Sequence, residues 1–183
     1  MKIYENNIKG VCILESSFIK DDRGAFTRLF CVEDLKKIIG SRKILQINYS
    51  LTHKVGAIRG MHYQNPPYAE LKIIRCIRGR VFDVALDLRA GSPTFLQWVS
   101  AELTPENCRA LVIPEGCAHG FQVLDPDSEL LYLHTAFYSP SYESGVRFDE
   151  PRARIIWPLD PTDISVRDQN HPRLEKNFLG ITL

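Results

Sequence analysis

Two histidines and a lysine stand out by their sequence context. His62 lies in Ile58-Arg59-Gly60-Met61-His62-Tyr63-Gln64, and His119 in Ile113-Pro114-Glu115-Gly116-Cys117-Ala118-His119-Gly120. In a strand, alternate residues share a face, so Gly60, His62 and Gln64 point one way and Met61 and Tyr63 the other. Lys72 shares its face with Ile74 and Cys76, which carries the ammonium toward apolar surroundings and sharpens it as a hydrogen-bond donor. A barrel mouth lined with histidines invites a metal. His62, Glu70 and His119 offer two nitrogens and a carboxylate, the donor set of a facial metal triad. Cys117 beside His119 could be a thiol nucleophile, although nothing local activates it. Taken singly, each residue is more often an ordinary hydrogen-bonded or exposed polar group.

The elements that must position these residues are short. One amphipathic helix is expected over 32–39, with apolar residues at 32, 35, 38 and 39 and Gly40 as its stop. Strand-like runs fall at 44–50, 73–77, 81–88, 95–103, 110–113, 120–124 and 129–136, and Asp83 and Asp87 share a face of the third. Turn chemistry separates them: Ala90-Gly91-Ser92-Pro93, Pro114-Glu115-Gly116 and Asp125-Pro126-Asp127. Many short strands at regular spacing predict an all-β antiparallel sandwich or barrel, most plausibly a double-sheet jelly roll. The stretch 160–183 is polar and proline-spaced and reads as an irregular tail packed on the body. No linker or repeat divides the chain, so 1–183 is expected to be a single domain.

Composition narrows the classes. The 183 residues are 44% hydrophobic and 25% charged, average for a globular protein with a sizeable core. Lys and Arg number 23 against 22 Asp and Glu, a net +1, which argues against an electrostatic nucleic-acid binder. No apolar run approaches the roughly 20 residues that span a bilayer, and the first residues turn polar at once, unlike a signal peptide. Five cysteines, Cys12, Cys31, Cys76, Cys108 and Cys117, form no C-x-x-C pair and read as reduced, mostly buried filler. A cytoplasmic protein without membrane or nucleic-acid partners is expected.

A longer series of motifs is more specific. Arg59-Gly60-Met61-His62-Tyr63-Gln64, Gly79-x-Val81-Phe82-Asp83-Val84, Asp87-Leu88-Arg89, Gly91-Ser92-Pro93-Thr94-Phe95, Ile113-Pro114-Glu115-Gly116, Ala118-His119-Gly120-Phe121 and Trp157-Pro158 occur in this order. The chain resembles the dTDP-4-dehydrorhamnose 3,5-epimerase family from Asp21-Asp22-Arg23-Gly24 to Ile164-Ser165-Val166-Arg167-Asp168. The resemblance implies a cupin-like jelly roll that has lost its metal, no cofactor, a homodimer, and epimerisation of a 4-keto-6-deoxyhexose carried on dTDP. The spacing also resembles metal-binding cupins, but their usual His-x-His is here His62-Tyr63-Gln64, one ligand short. A metal-dependent cupin isomerase or oxygenase and a non-catalytic sugar-nucleotide binder are the alternatives.

Carried over from the family, His62 is the base, Asp168 orients it, Lys72 stabilises the enolate oxygen and Tyr132 returns a proton to the opposite face. Arg23 and Arg59 match diphosphate-contacting positions, Gln46 and Asn48 positions near the nucleotide, and His119 one lining the sugar pocket. Arg167 stands where the family often has lysine. Three departures leave the carrier nucleotide and the epimerised carbon open. Arg28 replaces a common glutamate and Glu70 a glutamine, both expected toward the nucleotide. Leu133-His134 replaces a Lys-Thr pair, with His134 expected to be a strand residue facing the second sheet rather than a pocket residue.

Overall fold

The alternation of side chains along each strand builds a two-sheet sandwich with an apolar layer on either outer face. The computed structural model describes residues 1–183. In chain order its elements are β1 (Lys2–Glu5), β2 (Cys12–Glu15), β3 (Ile19–Asp21), β4 (Gly24–Phe26), α1 (Val32–Ile39), β5 (Gln46–Thr52), β6 (Ile58–Gln64) and β7 (Lys72–Arg78). Then follow β8 (Val81–Asp87), β9 (Trp98–Leu103), β10 (Arg109–Ile113), β11 (Cys117–Val123), β12 (Ser128–His134), β13 (Glu143–Gly145) and α2 (Val166–Gln169). One sheet has the order β1-β2-β10-β7-β12-β5 and the other β13-β6-β11-β8-β9, while β3 and β4 pair only with each other. All these pairings are antiparallel. The fold is an all-β, cupin-like double-sheet jelly roll with short peripheral helices.

Period-two patterning distributes the core. Ile74 and Cys76 of β7, Leu130 of β12, Ala85 of β8 and Phe121 and Val123 of β11 meet between the sheets. Their strand neighbours Ile73, Leu133 and Val112 face outward, where Leu35 and Ile39 of α1 cover them. On the other sheet Met61, Val84, Leu86 and Ala118 face outward and are covered by the returning chain, including Val146, Ala153 and Ile181. The expected helix forms at 32–39, with Glu33 and Asp34 in its first turn and Lys36 and Lys37 in its last, matching the helix dipole.

Several elements differ from expectation. The strand expected from 95 starts at Trp98, because Thr94 to Gln97 is a turn with Leu96 at φ +64°. The strand expected from Gly120 starts at Cys117, so His119 stands on a strand. The C-terminal tail is not wholly irregular. It contains α2, capped by Ser165, whose hydroxyl accepts from the Asp168 N–H, and bridges Ile58–Ile164 and Arg89–Ile181 bind it to the body.

One close approach aligns the two histidine strands. His62 and His119 are register partners across β6 and β11. Gly60, at φ +123°, lies where a Cβ would come within 2.5 Å of the Gly120 Cα and 2.7 Å of the His119 carbonyl oxygen. Only glycine combines that torsion with that proximity. Gly60→Ala is therefore expected to lose about 2 kcal/mol or more, read as a lower urea midpoint at unchanged slope. A wild-type midpoint would show that the strands can part here without penalty.

Candidate active site

The inner faces of both sheets change character along their length. The strands that bury Ile74, Phe121 and Leu130 in the core present Lys72, His119, Tyr132 and His134 further along the same faces. A cavity of about 270 Å³ opens there, lined by His62, Gln64, Lys72, His119, Tyr132 and His134 among others. A second cavity of about 360 Å³ adjoins it and shares Arg59, His62 and Arg167.

On one wall, His62 Nε2 lies 2.8 Å from Asp168 Oδ1, and the Gly60 N–H donates to Asp168 Oδ2 at 3.0 Å. Arg167 Nε lies 3.2 Å from the same Oδ1. Burial of Asp168 opposes ionisation, but the His62 bond and charge, the Gly60 N–H and Arg167 outweigh it and hold the carboxyl well below the usual range. An ionised carboxylate accepts only, so the Nε2 proton points at Asp168 and Nδ1 is the basic nitrogen of His62. Arg167 NH2, 3.0 Å from Nε2, consequently contacts the ring without a hydrogen bond to it. His119 Nε2 is bonded to Asp83 Oδ1 at 2.7 Å. Complete burial pushes the Asp83 carboxyl up against the influence of His119, and its other oxygen has no partner.

The opposite wall belongs to the other sheet. Lys72 Nζ lies 3.1 Å from Glu70 Oε1, and Glu70 Oε2 lies 2.7 Å from His134 Nδ1. The Tyr132 hydroxyl is 2.9 Å from Ser50 Oγ, and burial pushes the phenol above its ordinary value. Its ring stacks on His134 and meets His119 edge-on. His134 is thus a pocket residue, not one merely facing the second sheet, since period two carries it to the inner face with Tyr132 and Leu130. Glu70 likewise sits beside Lys72 in this cavity.

The remaining residues divide. Asn48 lines the cavity, while Gln46 stands behind it and donates to Asn48 at 3.0 Å. Arg59 is anchored on Thr52 and the Leu51 carbonyl. Arg23 and Arg28 do not reach the cavity of their own chain. Arg23 is 90% exposed on the β3–β4 hairpin, paired with Asp21, and Arg28 lies 4.0 Å from Asp34. Sequence reasoning gave no role to Glu143, which pairs with Arg167, to Ser50, or to His171. The His171 ring lies edge-on to His62 and fills the space a Cβ on Gly145 would take. Only the i, i+3 spacing from Asp168 signalled it.

The two other chemistries do not fit this geometry. His62, Glu70 and His119 each point at a separate partner, Asp168, Lys72 with His134, and Asp83, so they do not form a facial triad. His62, Asp168 and His171 do bring ligand atoms within 4.8 Å of one another, but the Arg167 guanidinium already supplies positive charge to that carboxylate. Cys117 is buried and its thiol is pushed up to about 12 by that burial, far from an activated thiolate.

Fold and site together define an acid–base enzyme built on a jelly roll. A family model described as dTDP-4-dehydrorhamnose 3,5-epimerase matches residues 5–176, and the chain belongs to that family. It is 40% identical over 182 residues to the dTDP-4-dehydrorhamnose 3,5-epimerase of Salmonella typhimurium, covering 98% of both chains. The crystal structure of the Bacillus anthracis enzyme, with TDP and PPi bound, superposes with a TM-score of 0.91 at 36% identity, covering 94% of this chain and 99% of that one. The Legionella pneumophila enzyme in complex with dTDP-4-keto-L-rhamnose gives a TM-score of 0.91 at 34% identity, covering 98% and 97%.

The tautomer is directly testable. In ¹⁵N–¹H spectra at neutral pH, the neutral His62 ring should carry its proton on Nε2. Asp168→Asn, whose amide can donate instead, should shift the proton to Nδ1 in a folded protein. An unchanged tautomer would show that something other than Asp168 sets it.

Proposed function

We propose that this chain epimerises C3, C5 or both of a dTDP-linked 4-keto-6-deoxyhexose, in the formation of deoxysugars such as dTDP-L-rhamnose. The observation that carries the reading is the placement of His62 with Asp168 on one sheet and of Lys72 with Tyr132 on the other, facing one cavity. A ketone at C4 acidifies the C–H bonds at C3 and C5. His62 Nδ1 takes that proton, and the Asp168 carboxylate stabilises the imidazolium. The charge moves to the C4 oxygen, where Lys72, buried and rigidly held, stabilises the enolate. Tyr132 keeps its proton because burial raises it, and gives it to the carbon from the other face. The carbon has then inverted, and solvent resets both groups.

Arg59 and Arg167 border both cavities, which suits a diphosphate between the sugar and its nucleoside. His119 lines the sugar pocket, and Asn48, steadied by Gln46, takes the nucleotide side. Residues 1–183 act as one unit. Five unpaired cysteines fit a reducing compartment, the cytoplasm; no helix is long and apolar enough to cross a membrane.

The working form is a homodimer. The β3–β4 hairpin pairs with no other strand, and its Ile19 and Phe26 are 71% and 67% exposed. Strands β1 and β5 are open sheet edges, a liability that pairing with a second copy removes. In such a pair the hairpin of one copy brings Arg23 and Arg28 to the phosphate side of the other. Sedimentation at micromolar concentration should give a dimer. Mixing refolded Arg23→Ala and His62→Ala chains should restore activity, because one site in each mixed dimer is then intact. A monomer, or no recovery on mixing, would sink the shared site.

The reaction is tested with dTDP-4-keto-6-deoxyglucose in heavy water, followed by proton NMR. Deuterium should enter at C3, C5 or both. His62→Ala should slow this by about 100- to 10,000-fold, and Tyr132→Phe should reduce inversion more than exchange. Absence of exchange in folded wild-type protein would overturn the reading.

A further inference from the structure

Glu70 and His134 line the cavity, yet the epimerisation as derived uses neither. Gln46, His134 and Lys72 occupy one row across β5, β12 and β7, and Glu70 lies two residues before Lys72. Its carboxylate bridges the two cavity side chains, Oε1 to Lys72 at 3.1 Å and Oε2 to His134 at 2.7 Å. Burial disfavours its charge, but the His134 bond and Lys72 outweigh that and hold it below the ordinary value. Glu70 is therefore an anion that only accepts, and His134 Nδ1 donates to it. Of about four lone-pair directions on a carboxylate, the two protein donors take two. Any ligand group set beside Glu70 must donate. A methylene there would set carbon against the open lone pairs of a charged carboxylate, and a second acceptor would be repelled.

We infer that Lys72 and Glu70 together recognise an α-hydroxyketone, Lys72 donating to the carbonyl oxygen and Glu70 accepting from the hydroxyl on the neighbouring carbon. The inference rests on the reading that Lys72 holds the C4 oxygen. A donor and an acceptor 3.1 Å apart then complement the ketone and the C3 hydroxyl of one sugar. The site selects 4-keto sugars that keep a donor at C3 and discriminates against 3-deoxy sugars. His134 acts through Glu70 as a positioning residue, fixing the carboxylate so that Oε1 stays beside Lys72.

The test compares dTDP-4-keto-6-deoxyglucose with its 3-deoxy analogue, scoring kcat/KM for deuterium exchange at whichever of C3 and C5 the wild type exchanges, since both carbons carry α-hydrogens in each sugar. Wild type should prefer the hydroxylated sugar by about 100-fold or more, as sites built to pair a hydroxyl do. Glu70→Leu, which removes the acceptor, should lose most of that preference, slowing on the hydroxylated sugar far more than on the analogue. Glu70→Gln, whose amide oxygen still accepts, should keep part of it. His134→Leu should erode the preference, and His134→Asn, whose amide can replace the Nδ1 donor, should restore it. Comparable wild-type rates on both sugars would overturn the role of Glu70 while leaving the epimerase reading intact. Equal losses on both sugars in Glu70→Leu would do the same, marking Glu70 as support for Lys72 alone. Exchange with neither sugar would overturn the epimerase reading, and this inference with it.

Discussion

A single buried carboxylate ties the far end of the chain to the strand that carries His62. Asp168 is delivered by a one-turn helix that Ser165 caps, and its two oxygens divide their work. One accepts from the backbone of Gly60, the other from the His62 ring. The backbone bond sets the position of the carboxylate, and the ring bond sets the tautomer of the histidine. On the other side of the same glycine, the Gly60–Gly120 approach leaves no room for a side chain. Tail, strand and close approach therefore act as one constraint on where the basic nitrogen sits.

The rest of the sandwich supports this by dividing its inner face into a dry half and a reactive half. Ile74 lies next along the inner face from Lys72, and Leu130 next to Tyr132. Polar groups anchored so near an apolar core face fewer competing waters, and a fixed donor there is worth more to a developing enolate than the same donor in water. The outer layers, α1 on one sheet and the returning C-terminal chain on the other, keep the strands from shifting while contributing few side chains to the chemistry.

Legibility in the sequence followed the strength of local periodicity. Strands β7, β8, β10 and β12 and helix α1 are patterned by burial on defined faces, and the face-sharing of His62, of Lys72 with Ile74, and of Asp83 was readable from period two alone. β1, β3 and β4 were not readable. Their residues are exposed, so no burial pattern marks them. Asp168 could be linked to His62 only through the family resemblance, because 106 residues separate them and nothing local marks an aspartate that will be buried. His134 was misread since alternation specifies a shared face but not whether that face meets core or cavity. Arg23 was tied to the diphosphate, and Arg28 to the nucleotide side, only through the resemblance, and one chain carries neither to its own cavity.

Three carboxylate–histidine pairs converge on this cavity, and their differences follow from what else each carboxylate touches. Asp168 also accepts from Gly60 and pairs with Arg167, so it stays an anion that holds the Nε2 proton of His62. Glu70 also pairs with Lys72 and is held as an anion. Asp83 has no partner beyond His119, and burial drives it toward its neutral form. Asp83 fixes the His119 ring through this one hydrogen bond, at 2.7 Å. His62 is also the most open of the three rings, at 21% side-chain exposure against 6% for His119 and 11% for His134. The base proposed above has to exchange its proton with solvent between turnovers, which that opening permits. Charge support and access thus favour the same residue for that proposed role.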